Sequence, residues 1–299
     1  MGILESAVKD FSGKIAVVTG GGSGIGRALA LQLVAEGCSI AMCDVSEEDM
    51  AETCRLAEAV STQGAKVISY RADVSSESDM NGFRDHVLAE TGADHIHLLF
   101  NNAGIAGGGS FVAGDSGQWE RTFGVCWYGV YYGCRAFMPL LVRANEGHVI
   151  NVSSVNGFWA SLGPETPHTA YSAAKFAVKG FTEALMTDLA INAPHVKASV
   201  VMPGHIGTKI ALNTVREQGM GIFPEDVTKE EIIQRGKDFE ENGLRPEEAA
   251  KSILDGVKED RWRILVGPDA IALDQVVRAN PEGAYGSDLM ETIFGTMPD

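Results

Sequence analysis

The sequence predicts a single α/β domain built on a doubly wound parallel sheet with helices on both faces. Three observations carry that prediction. Short apolar, β-branched runs alternate with longer stretches of helical spacing, which implies parallel strands joined by right-handed crossovers. The first such run leads into Gly20-Gly21-Gly22-Ser23-Gly24-Ile25-Gly26, directly before the first helical stretch. No Pro/Ser-rich tract, like-charge run or internal repeat divides the 299 residues, so one domain with a C-terminal extension is expected.

The elements follow in order. Residues 14–19 are β-branched and end in glycines, as a buried strand does. Ile25, Leu29 and Leu33 recur at helical spacing and the pattern stops at Gly37, a usual helix terminator. A strand over 39–43 and a helix over 47–63 come next. Strands are predicted over 66–70, 97–100, 148–152 and 196–201. The helices between them are predicted over 77–90, 118–144 and 170–191. Residues 204–245 are polar and glycine-containing, with one helical stretch near 229–241. A helix over 246–259 and a strand over 263–266 complete the pattern. Residues 1–267 are therefore read as one domain, with 204–245 as a covering segment and 268–299 as the extension.

Composition excludes several classes. The chain carries 24 Lys plus Arg against 40 Asp plus Glu, a formal charge of −16. Such a surface repels nucleic-acid phosphates and anionic membranes, and favours solubility. The 5 cysteines contain no CxxC pair and are odd in number, so neither a disulfide framework nor a zinc site is signalled. No His or carboxylate spacing predicts another metal. No apolar run reaches the ~20 residues of a membrane span. A cytoplasmic protein with no nucleic-acid or membrane partner is expected.

The glycine loop lies between a strand and a helix, where glycines let the backbone approach a pyrophosphate. The helix N-terminus behind it offers free N–H groups and a positive dipole end. Asp44 ends the second strand, about 20 residues on, where a carboxylate hydrogen-bonds ribose hydroxyls and repels a 2′-phosphate. Val45 follows it, with no arginine to neutralise it, so NAD is expected over NADP. Arg27 inside the loop is the counter-signal. Asp44 could instead cap the next helix, a role open to Ser46 as well. Tyr171 and Lys175 lie four apart on one helix face, with Ser153 and Ser154 upstream. A phenol with an ordinary pKa of about 10 is a poor base at neutral pH. A lysine one turn away, with oxidised nicotinamide, should depress it.

With these motifs in this order, the chain resembles the short-chain dehydrogenase/reductase family over about residues 14–266, in its NAD-preferring, single-domain type. The resemblance implies a Rossmann-type sheet, a small alcohol or ketone substrate, and a homodimer or homotetramer. Thr19, Gly20, Gly24 and Gly26 match the TGxxxGxG loop, in which Ser23 and Ile25 are expected to touch the cofactor. Asp73 and Val74 match the pair at the adenine. Asn101-Asn102-Ala103-Gly104 matches the NNAG element, from which Asn101, Ala103 and Gly104 are expected at the cofactor. Ser154 matches the active-site serine, and Tyr171 with Lys175 matches YxxxK. Pro203, Gly204, Ile206 and Thr208 match the stretch that approaches the nicotinamide amide.

Two departures stand out. The family's catalytic Asn position holds Cys126, within Val125-Cys126-Trp127-Tyr128-Gly129. A thiol is a poor hydrogen-bonding partner, so the water relay that the Asn serves is affected. The segment from Ser154 to Tyr171 is a few residues longer than usual and contains Phe158, Trp159, Pro164, Pro167 and His168. It is expected at the rim of the substrate pocket, with His168 either facing the substrate or, as the favoured reading, on an exposed loop. His205 is placed near the cofactor mouth. The aromatic run Trp127, Tyr128, Tyr131, Tyr132 is read as subunit interface or core.

The expected reaction is hydride transfer between NAD(H) and a secondary alcohol or ketone. Tyr171 is the general base or acid, Ser154 holds the substrate oxygen and Lys175 grips the nicotinamide ribose. Phe158, Trp159, Met220, Ile222 and Phe223 suggest a fairly hydrophobic substrate. The alternative, resting on Cys126, is a low-turnover NAD(H)-binding sensor or structural subunit.

Overall fold

The computed structural model describes residues 8–62, 64–161, 166–218 and 228–286. Among them the strands are β1 (Ile15–Thr19), β2 (Ser39–Asp44), β3 (Val67–Arg71), β4 (Leu98–Asn101), β5 (Gly147–Val152), β6 (Val196–Pro203) and β7 (Arg263–Val266). The helices are α1 (Gly24–Ala35), α2 (Glu47–Val60), α3 (Glu77–Thr91), α4 (Ser116–Phe123), α5 (Gly129–Arg143) and α6 (Thr169–Asn192). They continue with α7 (Ile210–Gln218), α8 (Lys229–Asn242), α9 (Pro246–Lys258) and α10 (Pro268–Ala279).

The strands form one sheet in the order β3-β2-β1-β4-β5-β6-β7, and every neighbouring pair is parallel. The period of two along each strand sends alternate residues to opposite faces. Ala16 and Val18 of β1 join the core under α1 and α9, while Val17 joins the core under α3, α5 and α6. Both faces are thus apolar and covered. The chain winds one way from β1 and the other way from β4. The carboxyl ends of those two strands form the crevice where such sheets bind ligands.

Three regions differ from the sequence reading. The helix expected over 118–144 is broken by a wide π turn at Gly124–Tyr128, between α4 and α5. π turns are rare single insertions and cluster at functional sites, and neither propensity nor period announces them. Helices α7 and α10 were not anticipated. For α10 the signal was present: Pro268 and Asp269 occupy the first turn after Gly267, a helix-start pattern.

Candidate active site

A cavity of about 540 Å³ opens at the carboxyl ends of the strands. One end is the loop between β1 and α1. Gly20 has φ +68°, and a Cβ on Gly26 would meet the Gly20 carbonyl at 2.0 Å, so only glycines allow this close turn. Ser23 precedes α1 without a side-chain cap, and Ser23, Gly24 and Ile25 line the cavity. The first-turn N–H groups of α1 are thereby left for an anion. Thr19 Oγ1 accepts from the backbone N–H of Asn102 at 3.0 Å and of Ala103 at 3.1 Å. Asn102 Nδ2 donates back to the Thr19 carbonyl at 3.0 Å. The NNAG element and the glycine loop are therefore one hydrogen-bonded unit.

Asp44 lines the cavity at the tip of β2. Its Oδ2 accepts from Gly22 N at 3.0 Å and its Oδ1 from Ser46 N at 3.1 Å. Ser46, not Asp44, caps α2, accepting from Asp49 N at 3.2 Å. Burial raises the Asp44 pKa, and the two backbone donors oppose that rise. Arg27 is spent on the fold: it donates to the Gly22 carbonyl at 2.5 Å and to Thr53 Oγ1 at 2.9 Å. Asp73 also lines the cavity and pairs with Arg121 at 2.6 Å. Burial works to raise its pKa, but Ser75 and Arg121 outweigh it and hold the carboxyl low.

At the other end stand Ser154, Tyr171 and Lys175. Ser154 follows β5, and α6 carries Tyr171 and Lys175 on one face. Ser153 Oγ donates to the Lys175 carbonyl at 2.8 Å, which fixes the height of α6 against β5. Lys175 Nζ donates to the Val152 carbonyl at 2.9 Å and lies 5.4 Å from the Tyr171 ring centre. Ser154 hydrogen-bonds the phenol. Burial pushes the phenol above its ordinary pKa, Cys126 adds to that, and Ser154 opposes it. Burial likewise lowers the pKa of Lys175. The expected depression of the phenol by Lys175 is therefore not a property of the chain by itself.

Most residues predicted for the site meet at this cavity: Gly20, Ser23, Gly24, Ile25, Asp44, Asp73, Val74, Ala103, Gly104, Trp159, Pro203, Gly204, Ile206 and Thr208, with Ser154, Tyr171 and Lys175. Four stand behind it. Gly26 supports the turn. Asn101 is buried and donates to Asn151 Oδ1 at 2.8 Å. Cys126 is buried, and its thiol donates to the Ile105 carbonyl at 3.2 Å. Phe158 turns its ring towards the guanidinium of Arg263, 5.6 Å away. Met220, Ile222, Phe223 and Pro164 lie outside the described residues.

Several lining residues escaped the sequence reading. Leu273 and Asp269 come from α10, and Phe239 from α8. Asp269 Oδ2 accepts from His205 N at 2.6 Å, and His205 Nε2 meets the Phe239 carbonyl at 2.8 Å. Asn213 of α7 donates to Ser23 Oγ at 3.2 Å, so α7 reaches the glycine loop. His168 is not on an exposed loop. It is half-buried, lines the cavity and lies 4.7 Å from the Tyr171 ring, centre to centre.

The short chain dehydrogenase family model matches residues 14–219. SadH of Mycobacterium tuberculosis is 39% identical over 271 residues, covering 91% of this chain and 92% of its own length. A short-chain dehydrogenase/reductase from Burkholderia phymatum, solved in complex with NAD, is 32% identical with a TM-score of 0.78, covering 92% of this chain and 95% of that one. A metagenomic short-chain oxidoreductase, solved with NADP, is 25% identical with a TM-score of 0.63, covering 85% of this chain and 97% of that one. With the glycine loop, Ser154 and the Tyr171–Lys175 pair meeting in one cavity, the chain belongs to the short-chain dehydrogenase/reductase family.

Proposed function

We propose that the protein oxidises a fairly hydrophobic secondary alcohol, or reduces the matching ketone, with NAD(H). The observation that carries this reading is the meeting of Ser154, Tyr171 and Lys175 at one end of a cavity whose other end is the glycine loop. Bound nicotinamide supplies the hydride acceptor or donor. Ser154 and Tyr171 hold the substrate oxygen by hydrogen bonds. Tyr171 takes the hydroxyl proton in oxidation and returns it in reduction. Lys175 brings positive charge beside the phenol and offers N–H groups to a ribose. General-base help of this kind contributes about 10²–10⁴ in rate.

Three features support NAD over NADP. Asp44 places a carboxylate where a 2′-phosphate would sit. Arg27 is turned away into the loop. Arg216 lines the cavity but pairs with Asp49 at 2.9 Å. Apolar side chains from Ile105, Val155, Trp159, Phe239 and Leu273 on the cavity wall support a hydrophobic substrate. Tyr128, 43% exposed, and its stacking partner Tyr132, at 5.6 Å, favour an aromatic contact between subunits of a homodimer or homotetramer.

The test follows nicotinamide absorbance with NAD and NADP over a panel of secondary alcohols and ketones, with Tyr171→Phe beside the unmodified protein. Turnover with NAD that disappears in Tyr171→Phe is expected. No reaction with any alcohol or ketone, together with tight NADH binding, would overturn the enzyme reading in favour of a sensor or structural subunit.

A further inference from the structure

The polar side chains near Tyr171 are almost all engaged by the protein. Asn156 Nδ2 donates to the Trp159 carbonyl at 3.0 Å. His205 and Asp269 are held by Phe239 and by each other, as described. Ser154 and Tyr171 bond one another and await the reacting oxygen. Ser172 Oγ, beside Tyr171, is buried without a partner among the described residues but lies off the cavity lining; among the lining side chains near Tyr171, His168 is the exception. It occupies the residue before α6, where Ser, Thr, Asp or Asn would normally cap the first turn, yet its side chain makes no cap. Among the described residues its imidazole has no hydrogen-bond partner and no charged neighbour, and it lines the cavity.

An imidazole placed so has its hydrogen-bonding capacity free for whatever enters the cavity. Its ring centre is 4.7 Å from that of Tyr171. Hydrogen bonds to a phenol and to an imidazole nitrogen each span about 2.7–3.0 Å. One substrate oxygen at Tyr171 and another at His168 are then only a few bonds apart. Burial also lowers the His168 pKa to about 4, so the ring is neutral at physiological pH and offers one donor and one acceptor.

We infer that His168 is a substrate-binding residue that hydrogen-bonds a second oxygen beside the reacting carbon, making the preferred substrate a hydrophobic vicinal diol or α-hydroxyketone. This rests on the dehydrogenase reading above and narrows it. The second oxygen takes no part in the redox step. The carbinol carbon loses a hydride to the cofactor and its hydroxyl proton to Tyr171, and the neighbouring hydroxyl leaves unchanged.

The test compares matched pairs, 1-phenylethanol with 1-phenylethane-1,2-diol and hexan-2-ol with hexane-1,2-diol. Both enantiomers are used at saturating NAD, with the unmodified protein, His168→Phe and His168→Gln. A hydrogen bond to a buried polar group discriminates by about ten- to a hundredfold. The unmodified protein is expected to prefer the diols by that factor in kcat/KM. His168→Phe, which keeps an aromatic ring against Tyr171, is expected to abolish the preference by lowering the diol value far more than the mono-alcohol value. His168→Gln, which keeps a donor and an acceptor, is expected to restore part of it. Equal losses on diol and mono-alcohol in His168→Phe, or a diol preference that survives it, would overturn the inference and leave the dehydrogenase standing. Failure of every pair and of the matching ketones in the unmodified protein would instead overturn the dehydrogenase reading, and this inference with it.

Discussion

Lys175 Nζ lies 5.4 Å from the ring centre of Tyr171 while donating to the Val152 carbonyl at 2.9 Å. The cation is thus tied to the end of β5 and held against the phenol. A buried ammonium that has lost water needs such partners. The arrangement joins two jobs that one substitution can separate.

Lys175→Met removes the charge and keeps the length. Its kcat for alcohol oxidation is expected to fall by about 10²–10⁴, and NADH binding, followed by fluorescence, is expected to weaken too. Tyr171→Phe should lose the rate alone. The phenol is raised by burial, so oxidation, which needs the phenolate, should accelerate as pH rises from neutral to alkaline. Reduction, which needs the phenol, should hold at neutral pH and fall in base. In Lys175→Met any residual oxidation should rise only at still higher pH. An unmoved profile would show that the lysine charge does not act on Tyr171.

Cys126 bears on whether the family's missing Asn disables this protein. Its thiol donates to the Ile105 carbonyl at 3.2 Å from within the π turn. It ties the turn to the loop after β4, beside Lys175. Cys126→Asn, with a stronger donor, is expected to match the unmodified kcat or exceed it. Cys126→Val, with no donor, is expected to lose up to about tenfold, the worth of one modest hydrogen bond. Steady-state kinetics on one alcohol decides, and equal rates in all three proteins would show the thiol to be filler.

The strand and helix order was legible because the central strands β1, β4, β5 and β6 are buried and largely apolar, while the edge strands β3 and β7 are half buried yet still lead into turn residues. The meeting of Ser154, Tyr171 and Lys175 was legible because Tyr171 and Lys175 share a helix and Ser154 follows a strand. What sequence could not reveal depends on long-range packing. Phe158 and Trp159 are neighbours, and only the docking of α10 decides that Trp159 faces the cavity while Phe158 faces Arg263. His168 reads as a loop residue in front of a helix, and only the packing of that loop onto the cavity brings it against Tyr171. The π turn has no local code, since Gly124 and Gly129 fit an ordinary helix as readily.

His148 sets a limit on acid stability. Its Nε2 meets Ser199 Oγ at 2.7 Å, and Ser199 spends its own proton on the Arg261 carbonyl at 2.7 Å. The ring therefore donates through Nε2, and the buried Nδ1 has no partner among the described residues. Protonation would put an unpaired N–H in the core. Burial, with Lys197 adding to it, lowers the pKa to about 3, against about 6.5 in the unfolded chain. The unfolded state takes the proton first, so stability is whole above about pH 6.5 and is lost as pH falls towards 3. The slope from this one residue is about 1.4 kcal/mol per pH unit. Urea unfolding at several pH values should show His148→Gln flatter than the unmodified protein by that amount. Parallel curves would refute the assignment.

Trp159 joins the C-terminal segment to the site. Its Nε1 donates to the Ala284 carbonyl at 2.6 Å, and Tyr285 Oη accepts from Ala160 N at 3.2 Å. Trp159 also packs with Leu273 and Ala284 in a small core of its own. Arg263 and Asp274 form an ion pair beneath this clasp, which Arg278 joins at 2.9 Å. The segment after β7 is thus part of the cavity wall. Trp159→Phe keeps the ring and loses the hydrogen bond, leaving the Ala284 carbonyl unpaired, at a cost of about 1–3 kcal/mol. Trp159→Ala also leaves a cavity and should cost about 3–5 kcal/mol. For the milder variant, KM for a bulky alcohol is expected to rise more than KM for propan-2-ol, because only the larger substrate reaches Leu273. Thermal unfolding and the two KM values check this together. A drop in stability with both KM values unchanged would mean that the clasp holds the fold and leaves the substrate wall untouched.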